Sequence, residues 1–135
     1  MNASSSTHDF TAHLPSSELT GRIIAAAIEV HTRLGPGFIE SAYENALCIE
    51  LDKRGISFTK QVEVSVMYDD IDVAVHRLDL LVEDEIVVEL KATTKTDAVH
   101  FAQTRSYIQA AGLDVGLLLN FGQAPLGIRR VTPRA

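Results

Sequence analysis

The acidic tripeptide Glu83-Asp84-Glu85 separates two apolar-rich segments, and this separation constrains the fold more than any other feature of the chain. Residues 73–82 and 86–92 read as an antiparallel hairpin closed by that three-residue turn. Val82 then pairs with Ile86, which puts Asp79 opposite Glu89 and Arg77 opposite Lys91. Side chains alternate along a strand, so Leu78, Leu80, Val82, Ile86, Val88 and Leu90 share one wholly apolar face. The other face gathers Arg77, Asp79, Glu89 and Lys91. Opposed carboxylates with Cβ atoms roughly 4.5–5.5 Å apart repel and weaken a strand pair. A bound divalent cation would reverse the sign of that interaction, with a lysine beside it. The competing explanation is a charged strand face turned to solvent.

Turn and cap signals divide the rest of the chain. Ser16 or Ser17 can cap a helix running to about Arg33, with Leu19, Ile23, Ala27, Val30 and Leu34 as its apolar stripe. Gly35-Pro36-Gly37 stops it. A second helix is predicted over 39–54, with Gly55 just past its end. Residues 56–68 read as a strand, and Asp69-Asp70 turn it into the hairpin. Thr96 or Asp97 opens a third helix through Ala111, closed by Gly112. The continuous apolar run 115–121 suits a strand buried on both faces, and 126–131 forms a last strand. The order α-α-β-β-β-α-β-β predicts an α/β fold, a mixed β-sheet flanked by helices.

At 135 residues, 46% apolar and 22% charged, the chain suits one globular domain, expected over 16–135. Residues 1–15 have neither a basic start nor an apolar stretch and read as a loose tail, not a secretory signal. No apolar run approaches the ~20 residues that cross a bilayer. A single cysteine, Cys48, excludes an internal disulfide and fits a cytoplasmic location; a buried structural thiol is its expected role. The net charge of −6 argues against a binder that works by bulk electrostatics. Contact with nucleic acid would have to be local, with metal ions offsetting part of the acidic field.

Three further residues carry candidate chemistry. Glu40 begins the second helix and lies in register with Tyr43, Leu47 and Leu51, which assigns it to the buried stripe; an acid there also complements the helix dipole. Glu44, one turn on, reads as a solvated charge. Gln103 and Tyr107 are four apart on the third helix, beside Val99 and Ala110. They could face the acidic site or simply pack. His31 suits a helix C-terminus, His76 the apolar hairpin face, and His100 the neighbourhood of Gln103, while His8 and His13 fall in the tail. None has zinc-ligand spacing with cysteine. Ser41 and Ser106 lack histidine–acid partners, and no P-loop or dinucleotide glycine pattern occurs. Arg129, Arg130 and Arg134 form a small basic cluster near the C-terminus.

Gly37-x-x-Glu40-x-x-Tyr43, Arg77-Leu78-Asp79, Glu89-Leu90-Lys91, Gln103-x-x-x-Tyr107 and Gly116-Leu-Leu-Leu-Asn-Phe-Gly122 together resemble the GxxExxY family of small bacterial proteins, assigned to the PD-(D/E)XK nuclease superfamily. Leu78 stands where the superfamily's name has a proline. The resemblance implies a restriction-endonuclease-like fold and metal-dependent hydrolysis of phosphodiester bonds, with DNA the expected substrate. It implies that Asp79, Glu89 and the Leu90 carbonyl hold Mg²⁺ or Mn²⁺, with Glu40 joining directly or through water. Lys91 would orient the attacking water or stabilise phosphate charge, and Gln103 and Tyr107 would position substrate. Arg77 would contact a phosphate or pair with an acid. A non-catalytic module that keeps the fold and binds a protein partner is the alternative. A homodimer through 115–121 or the first helix is a further expectation.

Overall fold

The computed structural model describes residues 16–133. The expected tail, with His8 and His13, and Arg134 lie outside them. The elements are α1 (Ser17–Leu34), α2 (Glu40–Lys53), β1 (Phe58–Tyr68), β2 (Ile71–Val82), β3 (Ile86–Lys91), α3 (Ala98–Ala111), β4 (Val115–Asn120) and β5 (Gly127–Val131). The five strands form one sheet in chain order. All neighbours are antiparallel except β3 and β4, which the α3 crossover makes parallel.

Helices cover both faces. Ile23, Ala27 and Val30 of α1 and Tyr43, Leu47 and Leu51 of α2 pack on Leu80, Val82, Ile86, Val88 and Leu90. On the opposite face Ile108 of α3 meets Leu78, Val87, Leu118 and Val131. Strand β4 is buried along its whole length, as a strand covered on both sides requires. It pairs with β3 on one edge and β5 on the other, so 115–121 offers no free edge for the expected dimer. No helix among the described residues is long and apolar enough to cross a membrane.

The turns follow their sequence signals. Asp69 and Asp70 both take positive φ between β1 and β2, a geometry aspartate tolerates. Asp97 caps α3 by accepting the His100 amide, and Gly112 ends that helix in the left-handed region. Ser16 departs from expectation: it sits at the α1 N-cap position, but its hydroxyl donates to Glu85 Oε2 at 2.7 Å instead of capping the helix.

The connection between α1 and α2 is held by Tyr43. Gly37 has φ 115°, which favours glycine, and lets the chain swing into α2 so that Glu40 becomes its first residue. The buried Tyr43 hydroxyl donates to the Gly35 carbonyl at 2.5 Å and accepts the Phe38 amide at 3.1 Å. Its ring stacks on Phe121 with centroids 4.7 Å apart. Tyr43→Phe keeps the ring but strands a carbonyl and an amide, so unfolding experiments are expected to show a loss of about 1–3 kcal/mol. An unchanged melting temperature would contradict this role.

Candidate active site

The hairpin opens at the place where regular pairing would bring Asp79 against Glu89. The β2–β3 ladder runs Val82↔Ile86, Leu81↔Val87, Leu80↔Val88 and stops. In place of a further pair, the carboxylates bridge the strands. The Asp79 amide donates to Glu89 Oε2 at 2.9 Å, and the Leu90 amide donates to Asp79 Oδ2 at 2.8 Å. On the other side of β2 the register passes from Lys60↔Leu80 to Val62↔Leu78 without pairing Gln61 and Asp79, and Gln61 takes φ 53°. A non-glycine residue in that region is strained, and such strain persists where its surroundings impose it.

This break changes the expected faces. Leu80 belongs to the core under α1 and α2, whereas Leu78 belongs to the core under α3. Leu78 therefore leaves the apolar face expected for it. Arg77 is not opposite Lys91: it pairs with Glu63 of β1 at 3.0 Å on the exposed surface. His76 turns towards α3, its ring 4.5 Å from that of Tyr107.

Burial and mutual repulsion define the electrostatics. Glu89 is only 5% exposed, and Asp79 is half-buried. Burial, then the neighbouring Asp79 charge, pushes Glu89 up to about 8, against the opposing pull of the Asp79 amide and Lys91. Burial also raises Asp79; the Leu90 amide opposes it, while Glu44 and then Glu40 add to it. Burial, then the charges of Glu89 and Asp79, raise the Tyr107 hydroxyl.

Another buried acid provides the contrast. Glu50, 6% exposed, is ringed by Arg33, Lys53 and Arg54 at 3.3, 3.2 and 3.4 Å. No ion pair reaches Asp79 or Glu89 among the described residues, and Lys91 contributes its field without a salt bridge. Among the described residues the fold thus neutralises the buried Glu50 and leaves Glu89 and the half-buried Asp79 short of positive charge.

Other expected site residues divide. Glu40 is exposed, not part of the buried stripe that Tyr43, Leu47 and Leu51 form. As the first residue of α2 it projects before the helix meets the core. Glu44 is no solvated charge: its side chain is 14% exposed and accepts from Gln61 Nε2 at 3.3 and 3.2 Å. Glu40 and Glu44 are four apart and lie along one side of α2, a spacing that could have flagged Glu44. Gln103 is exposed, as is Val99; Thr104 and Ile108 are the residues α3 buries. His100 stays beside its own cap, Nδ1 3.6 Å from Asp97. His31 bonds the Gln123 carbonyl at 2.6 Å, and Cys48 is buried in the core.

Asn120 holds the segment that follows Lys91. It is fully buried, accepts the Thr93 and Gly122 amides through Oδ1, and donates through Nδ2 to the Thr93 and Thr96 hydroxyls. All four of its side-chain bonds are made, which pins the β3–α3 connection to the end of β4.

A model of the PD-(D/E)XK nuclease superfamily matches residues 17–131, almost the whole described region. The chain belongs to that superfamily. Its α-α-β-β-β-α-β-β order and five-stranded mixed sheet are the restriction-endonuclease-like fold expected from the sequence. The PD-(D/E)XK domain is also similar in fold to the crystal structure of SSO0001, at a TM-score of 0.54 and 15% identity. That likeness covers 70% of this chain and 50% of the other, so the domain spans about half the length of SSO0001. No curated protein matches the sequence.

PD-(D/E)XK nucleases generally use divalent metals, and the donor set here suits a hard cation. Among the described residues no three His, Cys, Asp or Glu side chains stand together as a ready cage, so the expected convergence of Glu40 with Asp79 and Glu89 is not seen. The two acids instead accept from opposing backbone amides. Each spends one oxygen that way, and the second takes no hydrogen bond among the described residues. A strand residue's N–H and C=O leave along the same edge, so the Leu90 carbonyl faces the gap its amide faces. Two carboxylates and a carbonyl, with water completing the shell, match the way Mg²⁺ is usually held.

Proposed function

We propose that this PD-(D/E)XK protein is a Mg²⁺- or Mn²⁺-dependent nuclease of the GxxExxY type that hydrolyses phosphodiester bonds in DNA. The observation that carries the reading is the pair of buried Glu89 and half-buried Asp79 at the gap in the hairpin, with no ion-pair partner among the described residues and Lys91 two residues beyond Glu89. Asp79, Glu89 and the Leu90 carbonyl would hold the ion, which when bound supplies charge neutralisation and a more acidic water. Glu44 and Glu40 act one layer further out, through water. Lys91 orients the attacking water and offers positive charge to the phosphate. Tyr107 lines the site from α3, and Gln103, exposed on that helix, is available to a substrate. Arg77, committed to Glu63 on the surface, has no assigned part in the reaction.

The direct test is cleavage of single-stranded, double-stranded and branched DNA by purified protein with Mn²⁺, Mg²⁺ or EDTA. Cleavage with either metal and none in EDTA is expected. A protein that loads metal, ignores every nucleic acid and captures a defined protein would overturn the reading.

Glu44 acts on Asp79 more strongly than Glu40 does. Glu44→Gln is therefore expected to weaken Mn²⁺ binding about tenfold or more by calorimetry, with Glu40→Gln the milder change. The reverse ranking would return Glu40 to the leading role.

A further inference from the structure

The cations of this acidic protein are unevenly committed. On α1, α2, β1 and β2 they are used internally: Arg33, Lys53 and Arg54 on Glu50, Lys60 on Glu44, Arg77 on Glu63. Lys91, Lys95, Arg105 and Arg129 make no side-chain hydrogen bond or ion pair among the described residues. These four lie around α3. Lys91 ends β3, Lys95 lies in the connection that Asn120 pins, Arg105 is on α3, and Arg129 is on β5 opposite Leu118.

Two of them share one ring. The Arg129 guanidinium lies 4.6 Å and the Arg105 guanidinium 5.0 Å from the centre of Phe101. Cation–π attraction holds each in place, yet like charges on one ring repel, and no acid among the described residues is paired with either. Preorganised guanidiniums with unused donors suit phosphate oxygens.

Their position relative to the acids completes the case. Val87 and Leu118 face α3, so Glu89 and Lys91, alternating with Val87, and Arg129, opposite Leu118, lie on the same side of the sheet. Lys91 is level with Asn120 on β4, and Arg129 lies on the next strand, two residues from that level. Strand spacing and rise put the two backbones roughly 12 Å apart, a span of a few nucleotides.

We propose that Lys95, Arg105 and Arg129 form a phosphate-contacting track beside Lys91, along which a nucleic-acid strand is held while its neighbouring phosphodiester enters the acidic gap. This rests on the nuclease reading and adds to it the surface that recruits a polymer to a protein whose net charge is −6. Affinity for nucleic acid then comes from a short local track rather than from the whole field.

The test is anisotropy of a labelled DNA duplex, in EDTA so that cleavage does not consume the probe, over a series of salt concentrations. Each lost phosphate contact lowers the salt slope by about 0.9, so Arg105→Gln/Arg129→Gln is expected to lower it by about 2 and weaken binding roughly 10–60-fold near 0.1 M salt. Arg105→Lys/Arg129→Lys keeps most of the slope. Hydrolysis of a minimal aryl phosphodiester, which cannot span the track, is unchanged in the glutamine variant. Should that variant fail to fold, Lys95→Gln, an exposed loop change, reads the same effect as a slope lower by about one. Wild-type slope and affinity in a folded glutamine variant would overturn the track while leaving the nuclease reading intact if the wild type cuts DNA. A wild type that neither binds nor cuts DNA would overturn both.

Discussion

Lys91→Ala is expected to abolish DNA cleavage, by about a thousandfold or more, while unfolding at the wild-type temperature. The size follows from the two effects assigned to the side chain. Positioning a water for proton transfer contributes ~10²–10⁴-fold, and a preorganised charge at a reacting phosphate contributes ~10²–10³-fold. The neutral effect on stability follows from its surroundings: Lys91 is half-buried at the end of β3 and makes no salt bridge or side-chain hydrogen bond among the described residues. Its removal strands no hydrogen-bond partner, so a change within about 0.5 kcal/mol is expected below the pH range in which Glu89 ionises, where the field of Lys91 matters least. Plasmid nicking in Mn²⁺ reads the activity, and thermal unfolding reads the fold. Equal cleavage by wild type and variant would trace the activity to a contaminant, and a large loss of stability would make Lys91 structural.

The second large effect is on stability and depends on pH. Burial and then the Asp79 charge push Glu89 up to about 8 in the folded protein, against an ordinary 4.5. Between these values the folded state holds the extra proton, so stability falls as pH rises. The favourable contribution is fully present below 4.5 and is lost as pH rises through about 8. A shift of that size corresponds to ~5 kcal/mol as an upper figure. Metal-free wild type is therefore expected to melt markedly lower at about pH 8.5, just above that window, than at about pH 5.5, in its lower part. Glu89→Gln should flatten the profile and exceed the wild type at the alkaline end, and Asp79→Asn should act in the same direction. Mg²⁺ should raise the wild-type melting temperature most at high pH, where it has no proton to displace, and should do little for either variant. A metal-free Asp79→Asn protein much less stable than wild type at pH 8.5 would mean that Asp79 is there to hold the strands.

The elements of the fold were legible because each is punctuated. The left-handed turn at Asp69-Asp70, the glycines after α2 and α3, and the apolar run of β4 are local signals with local causes. The acidic turn likewise gave the first pairs of the hairpin, down to Leu80↔Val88. One residue further the prediction failed. A period-two count assumes that strands stay paired, and Asp79 and Glu89 part the strands by taking the opposing backbone amides onto their side chains. That single event moved Leu78 to the other core and took Arg77 out of the acidic group.

Helix α2 illustrates the second kind of miss. Counting in threes and fours from Glu40 identified Tyr43, Leu47 and Leu51, all buried, but gave Glu40 a place in their stripe that it does not occupy. The periodic count orders residues around the axis without saying where along the helix the core begins. Glu44 reads as a solvated charge in the sequence, but hydrogen bonds from Gln61, a strand residue in a strained conformation that no local propensity signals, draw it in.

A crystal soaked in manganese tests the centre of the account. Anomalous scattering is expected at one position in the opening between β2 and β3, with Asp79, Glu89 and the Leu90 carbonyl among its ligands and the Lys91 amine beside its water. Soaked crystals in which both carboxylates still grip the opposing backbone amides, with no ion between them, would contradict it.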